Sequence, residues 1–410
     1  MSGTAETSKP PSRVDTALRE TLSGSGVVSI LAVTLALAVG AVLIAITDSG
    51  VQTSAAYFFS RPIDMLDAVW RSISGAYSAL FQGSIYNFRR DDFADGIKPF
   101  AQTAAFATPL IAAGLGVGVA FRVGLFNIGG RGQILIGAAC AGWVGWSFAL
   151  PPGIHLALAA LAGIIGGALW GGIVGLLKAR TGAHEVIVTI MLNYIAFYLV
   201  AYLLRTPGAL QAPGATNPKS PATLPSAIFP QILGFHDNLN LAFGVVIGLT
   251  LAVWWLLSRS SLGFQFRAVG INARAARVAG INVKNMYLYA MLISGGLVGF
   301  AGVTQVLASV TTGFGSGIDA SIGFDAITVA LLGRSKPLGI FAAGILFGAF
   351  KAGGFAMQAS QGIPVDIILV VQALIVLFIA APPLVRAIFR LPLPGARLRL
   401  SHGTAAKVAK

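Results

Sequence analysis

The sequence predicts an all-α protein, a polytopic transmembrane helical bundle of about eight to ten membrane segments that include interrupted or half helices. Three observations carry that expectation. Hydrophobic residues fill 56% of the 410 positions and charged residues only 10%, far below the roughly 25% charged of a soluble domain. Uncharged apolar runs of spanning length recur along the chain, beginning with residues 27–47. The Lys and Arg behind the formal charge of +14 gather in the loops and tails between those runs, without aromatic platforms beside them. Membrane orientation accounts for that pattern, and no nucleic acid partner is expected.

Residues 1–26, rich in Ser, Thr and Pro with charges of both signs, read as a flexible cytoplasmic leader. The first span, 27–47, is long enough to remain in the membrane and is not read as a cleaved signal. Residues 48–98 mix Trp70, Tyr77 and Tyr86 with scattered charges, the pattern of an outer loop lying along the interface, with an amphipathic helix near 63–81. Spans at 100–120 and 134–150 follow, the latter stopped by Pro151 and Pro152. Between them FRVGLFNIGGRGQ, residues 121–133, is a poor continuous helix, because each glycine costs about 1 kcal/mol and the amides compete for backbone hydrogen bonds. Broken backbone at membrane depth is tolerated only where protein or a water-filled path satisfies it.

Residues 154–177 form the next span, with Gly163, Gly167, Gly171 and Gly175 at four-residue spacing. That stripe lies on one face and lets another helix approach closely. Residues 186–204 return outward carrying Thr189, Asn193 and Tyr194, and the proline-rich stretch 205–238 reads as an ordered outer loop. A span at 239–257 descends to residues 259–284, which hold Arg259, Arg267, Arg274, Arg277 and Lys284 and no acid. The positive-inside rule keeps such a loop in the cytoplasm. Within it, 272–281 reads as a short helix with Arg274 and Arg277 beside small and apolar positions, able to dock on a cytoplasmic partner or to rest on anionic membrane lipid. Residues 285–307 climb back with Gly295 and Gly299 on one face. The apolar run 326–332 is too short to cross and reads as a half helix turning at 333–337, continued by 340–351. A last span at 363–380 ends at Pro382 and Pro383, and a basic tail, 382–410, keeps the C-terminus inside. The division is therefore leader 1–26, transmembrane domain 27–381 and tail 382–410.

A membrane enzyme or ion-coupled carrier needs ionisable groups within its spans. None of the 14 Asp and Glu falls at the middle of an expected full-length span, the four His lie at ends or in loops without ligand spacing, and Cys140 is the only cysteine. No catalytic residue, metal site or bound cofactor is expected on this chain. It contains no Gly-Lys dipeptide, hence no phosphate-binding loop, so energy for pumping must come from a separate subunit acting at the basic loop. Arg267, Asn272, Arg274, Arg277 and Ile281 are the expected contacts there. Neutral polar residues left in the membrane, Asn127, Gln133, Thr189, Asn193, Tyr194 and Gln305, together with Asp325 at the half helix, form the expected substrate path. Single amides commonly serve as interhelical glue, but broken helices are where transporters bind substrate. Such a lining suits a neutral polar solute such as a nucleoside or simple sugar. A stand-alone channel for the same solutes is the alternative, followed by a membrane-embedded enzyme.

Four stretches together resemble the membrane permease subunits of ATP-binding cassette importers of the branched-chain amino acid and simple sugar type, and more closely their nucleoside-uptake branch. They are FRVGLFNIGGRGQILIG (121–137), EVIVTIMLNYIA (185–196), FRAVGINARAARVAGINV (266–283) followed by ISGGLVGFAGV (293–303), and the GFDAITVALLGRSKPLG stretch ending at residue 339. The resemblance spans residues 100–380 in family order. It implies a bacterial inner-membrane importer with a second, identical or different, permease subunit, cytoplasmic ATPases that use the ATP, and an extracytoplasmic solute-binding protein. It also implies that 272–281 is the coupling helix. One departure stands out: nucleoside-branch relatives commonly carry Ala-Glu where this chain has Gly130 and Arg131, a reversal of local charge.

Overall fold

The computed structural model describes residues 25–232 and 239–390. Residues 1–24 of the leader, residues 391–410 of the tail and residues 233–238 of the outer loop, with His236 and His402, lie outside the described residues.

Apolar composition and sharp stops set the elements in order. Helix α1 (Ser25–Thr47) ends at Asp48, whose carboxylate accepts the Val51 N–H at 3.0 Å and caps α2 (Ser49–Ala55). Helix α3 (Pro62–Ser84) is amphipathic and lays its small residues on a later helix, while the Tyr77 hydroxyl donates to the Leu37 carbonyl of α1. The short α4 (Phe93–Gly96) leads into α5 (Lys98–Arg122), buried without interruption from 107 to 120 and so one of the central helices of the bundle. Helix α6 (Gly130–Ser147) follows a non-helical break, and α7 (Ile154–Thr181) ends at left-handed Gly182. A Lys178–Glu185 ion pair at 2.7 Å closes the turn into α8 (Glu185–Leu203).

Residues 205–232 fold without long helices over the ends of α6 and α12, and Leu224 N–H donates to the Gly145 carbonyl at 2.9 Å. Then come α9 (Leu241–Arg259), α10 (Ser261–Ile271), α11 (Ala273–Val278) and α12 (Val283–Thr304), which widens into a π-helical turn at Gln305–Ser309. The half helix α13 (Ile322–Leu332) turns through left-handed Arg334 and Ser335 into α14 (Pro337–Gln361), followed by α15 (Asp366–Ala380) and α16 (Pro382–Ile388). Seven helices among the described residues are long and apolar enough to cross a membrane, and α13 and α15 add shorter apolar segments.

The most extensive helix contact is α7 on α12. A Cβ on Gly167 would sit 2.5 Å from the Gly295 carbonyl oxygen and 2.5 Å from the Gly299 Cα. Gly163, Gly171 and Gly175 meet Val303, Met291 and Leu288 from the same stripe. A second apolar cluster joins α1 and α15 to the C-terminal half of α14.

Three boundaries differ from expectation, each for a tertiary reason. The third span was expected at 134–150; a helix stands there but runs from Gly130 to Ser147, because Asn193 of α8 accepts the Gly132 N–H at 2.8 Å and sustains the first turn, and it is not among the seven helices apolar enough to cross. The basic stretch 259–284 holds a second helix, α10, capped by Ser260 and anchored by fully buried Phe266. The segment expected to stop at Lys351 continues to Gln361, since the Lys351 charge is paired within the bundle.

Candidate functional site

The break at 123–129 is held by amides. Asn127, wholly buried, donates from Nδ2 to Ser294 Oγ at 2.9 Å and to Gln133 Oε1 at 3.1 Å, and its Oδ1 accepts the Gly129 N–H at 2.9 Å. Asn193 clamps the other side, accepting from Gly132 N–H and donating to the Ile128 carbonyl at 2.9 Å. Thr189, also buried, spends its hydroxyl on the Val186 carbonyl of its own helix. Asn127 and Asn193 replace the helical hydrogen bonds that the break forgoes, Gln133 holds Asn127 in place, and Thr189 packs against Gly129, so the four share one buried lock. Tyr194 points away from it and is 54% exposed on the outer face of α8.

The lock predicts a graded mutational response. Asn127→Ala strands the Gly129 N–H and the partner side chains, and is expected to destabilise by about 2–4 kcal/mol. Thr189→Val removes one local bond and is expected to cost under about 1 kcal/mol. Thermal unfolding of the two purified variants beside the parent checks the difference.

The other two path candidates, Gln305 and Asp325, line a cavity of about 710 Å³. Its walls come from Gln102, Phe106 and Pro109 of α5, Asn240 at the cap of α9, Gln305 and Ser309 of the π turn, Asp325 of α13, and Lys351 and Phe355 of α14. The widened turn at Gln305 and the short α13 leave backbone at the cavity edge where two full helices would have closed it. Ala320 and Ser321, adjacent in the lining, have φ of 44° and 62°, so the approach to α13 holds strained backbone at the cavity.

Charge and aromatic surface meet there. Lys351 Nζ lies 2.6 Å from Asp325 Oδ2, with the two side chains 18% and 23% exposed. The rings of Phe106 and Phe355 stack with centroids 5.7 Å apart and planes 27° from parallel. One wall is thus a neutralised ion pair with amides around it, and another is a flat apolar face, a combination matched to a polar ring-bearing solute without net charge. Sequence reasoning missed Lys351, Phe106 and Phe355. The only available signal was a lone lysine within an otherwise apolar run, which the charge rule reads as an end.

Arg131 ties this cavity to the amide lock. Its guanidinium lies 4.5 Å from the centre of the Phe197 ring of α8, and its Nε is 3.4 Å from the buried Asp319 carboxylate, just ahead of strained Ala320 and Ser321. The N-termini of α6 and α13 also touch backbone to backbone, since a Cβ on Gly130 would meet Gly323 at 2.9 Å.

At the far end of the bundle, Asn272 caps α11, its Oδ1 accepting the N–H groups of Arg274 and Ala275 at 3.0 and 3.1 Å. Ala276 is buried, Arg274 and Arg277 are exposed, and Ile271 and Val278 project at 86% and 90% exposure. Ile281 is half-buried, and Arg267 of α10 donates to the Leu257 carbonyl. The stub therefore presents two arginines and two bare aliphatic side chains together.

A family model described as branched-chain amino acid transport system / permease component matches residues 100–380. The chain is similar to the guanosine ABC transporter permease protein NupP of Bacillus subtilis (strain 168), 38% identical over 317 residues that cover 77% of this chain and 88% of that one. It is also similar to the nucleoside ABC transporter permease protein NupB of Lactococcus lactis subsp. cremoris (strain MG1363), 33% identical over 76% of this chain and 86% of that one. The glucose ABC transporter permease protein TsgB13 of Haloferax volcanii is 34% identical over 67% of this chain and 73% of its own length. No solved structure matches.

Proposed function

The chain belongs to the branched-chain amino acid transport system permease family, and from that premise we propose that it carries a nucleoside or a related sugar inward through the cavity at Asp325. It is a multi-pass membrane protein and a transport permease subunit, not an enzyme. The observation that carries the substrate reading is the pairing of the Asp325–Lys351 bridge with the Phe106–Phe355 stack on one cavity. A base stacks on the aromatic wall, and sugar hydroxyls exchange hydrogen bonds with the ion pair and with Gln305. The relatives' names, guanosine, nucleoside and glucose permeases, support the same class.

In this reading the membrane is a bacterial inner membrane with both termini in the cytoplasm. A second permease subunit completes the path, and a solute-binding protein delivers the solute from outside. A partner ATPase grips α11 and shifts α10 and α12, and the α6–α13 contact passes that movement to the half helix. Uptake of tritiated guanosine and of labelled glucose by cells expressing the complete system tests the solute. Saturable guanosine uptake blocked by excess unlabelled nucleoside is the expected result, and uptake of neither would overturn the assignment.

Coupling has its own test. The Arg274→Glu, Arg277→Glu double substitution falls on exposed side chains, so the protein is expected to fold and reach the membrane normally. ATP-dependent uptake is expected to drop at least about tenfold, because two charge reversals oppose one docking surface. Unchanged uptake by this variant, or uptake into liposomes by this chain alone without nucleotide, would favour a stand-alone facilitator.

A further inference from the structure

A basic pocket of about 350 Å³ lies between the ends of α5, α9 and α10 and the turn from α13 into α14, remote from the Asp325 cavity in its lining. We propose that it binds the phosphate-bearing headgroup of an anionic phospholipid. Arg122, Arg267 and Lys336 line it, with Trp254, Ser258 and Leu338, and no acidic side chain is among its lining residues. Three cations brought to one concavity from three separate elements repel one another unless an anion sits among them.

The guanidinium groups are held in position. Arg122 Nε donates to the Ser335 carbonyl at 3.0 Å, and Arg267 donates to the Leu257 carbonyl, which aims each fork while leaving further N–H donors for a ligand. The start of α14 adds to them. Lys336 supplies no side-chain cap and Pro337 has no N–H, so Leu338 and Gly339, both on the pocket wall, present first-turn N–H groups that the helix itself does not satisfy.

A phosphodiester from lipid fits better than free phosphate because of what surrounds the opening. Trp254 and the neighbouring Trp255, on the last turns of the spanning helix that ends at Arg259, are 41% and 59% exposed, and Leu338 on the first turn of α14 is 56% exposed. Tryptophan at that position marks headgroup depth, and the exposed face of α9 offers a bed for acyl chains. The site also has a place in the machine: it joins α10, which leads into the α11 stub, to the turn that starts the Lys351 helix. A bound headgroup would brace those two elements against each other. This assignment does not depend on which solute is carried.

The test uses the purified full-length chain in mild detergent, with phosphatidylglycerol or phosphatidylcholine added and bound lipid counted by native mass spectrometry. Phosphatidylglycerol is expected to be retained roughly tenfold better than phosphatidylcholine, and Lys336→Glu to remove most of that preference. Lys336 is exposed, so an unchanged melting temperature of the lipid-free variant establishes that it is folded. A second variant, Arg267→Gln, is expected to weaken retention in the same direction. Equal retention of the two lipids, or full retention by both variants, would overturn the proposal. Inorganic phosphate is the third arm. Stabilisation of the parent by millimolar phosphate that phosphatidylglycerol does not compete away would reassign the pocket to a free anion. A photocrosslinker at position 336 that captures an ATPase subunit in native membranes, with lipid retention unaltered by Lys336→Glu, would assign it to a protein interface instead.

Discussion

Asp325→Ala is expected to abolish uptake and to lower the stability of the purified protein by roughly 2–3 kcal/mol. Removing one partner from a fully buried pair costs about 3–5 kcal/mol, since the remaining charge is left without its counter-ion in a medium that solvates it poorly. Here both side chains keep about a fifth of their surface open to the cavity, at 18% and 23%, so water recovers part of that cost. Lys351→Met is expected to lose uptake likewise. The neutral pair Asp325→Asn with Lys351→Gln separates two roles. Its melting temperature is expected to return close to the parent value, because no charge is stranded, while uptake remains low if the ionised pair itself engages the solute. Restored uptake in that double variant would mean that the bridge serves only the fold.

The second large effect is steric. Gly167→Leu is expected to prevent accumulation of folded protein, because the first atom of the new side chain already falls 2.5 Å from the Gly295 carbonyl and from the Gly299 Cα. Both neighbours are backbone, so relief requires α7 and α12 to separate along the length over which they touch. Overpacking an ordinary core position costs about 1–3 kcal/mol, and a backbone-to-backbone crossing has less room to yield than that. Gly248 of α9 is the matched control: nothing lies within 4 Å of a Cβ built there, so Gly248→Leu is expected to leave expression and melting temperature unaltered. Size-exclusion profiles of the two variants in detergent give the comparison. Similar profiles would refute the close crossing as the reason for the glycine stripe.

These expectations also mark how far a one-dimensional reading reaches. The stripe at Gly163, Gly167, Gly171 and Gly175 declares a close helix contact by spacing alone, but not its partner. That partner is α12, which carries the complementary Gly295 and Gly299 and lies over a hundred residues away. The polar residues show the same division. Asn127, Gln133 and Gln305 look alike on a hydropathy scale, yet the first repairs a broken backbone, the second holds the first in place and the third faces a cavity. Lys351 was misread for a related reason. A hydropathy window sees one positive charge and no counter-charge, because Asp325 is on another helix.

By itself the sequence determined that the chain is a polytopic helical bundle, where its helices break, which loop carries the positive charge and where the short stub begins. Each of these follows from properties of neighbouring residues: apolar length, glycine and proline placement, and the density of Lys and Arg. Tertiary structure alone decided which polar groups face one another. Buried amides and charges are stable in a bilayer only when matched by a partner, and helices adjacent in space need not be adjacent in the chain. The 2.6 Å contact between Lys351 and Asp325 and the clamp of Asn193 on the start of α6 exist only once those helices have packed.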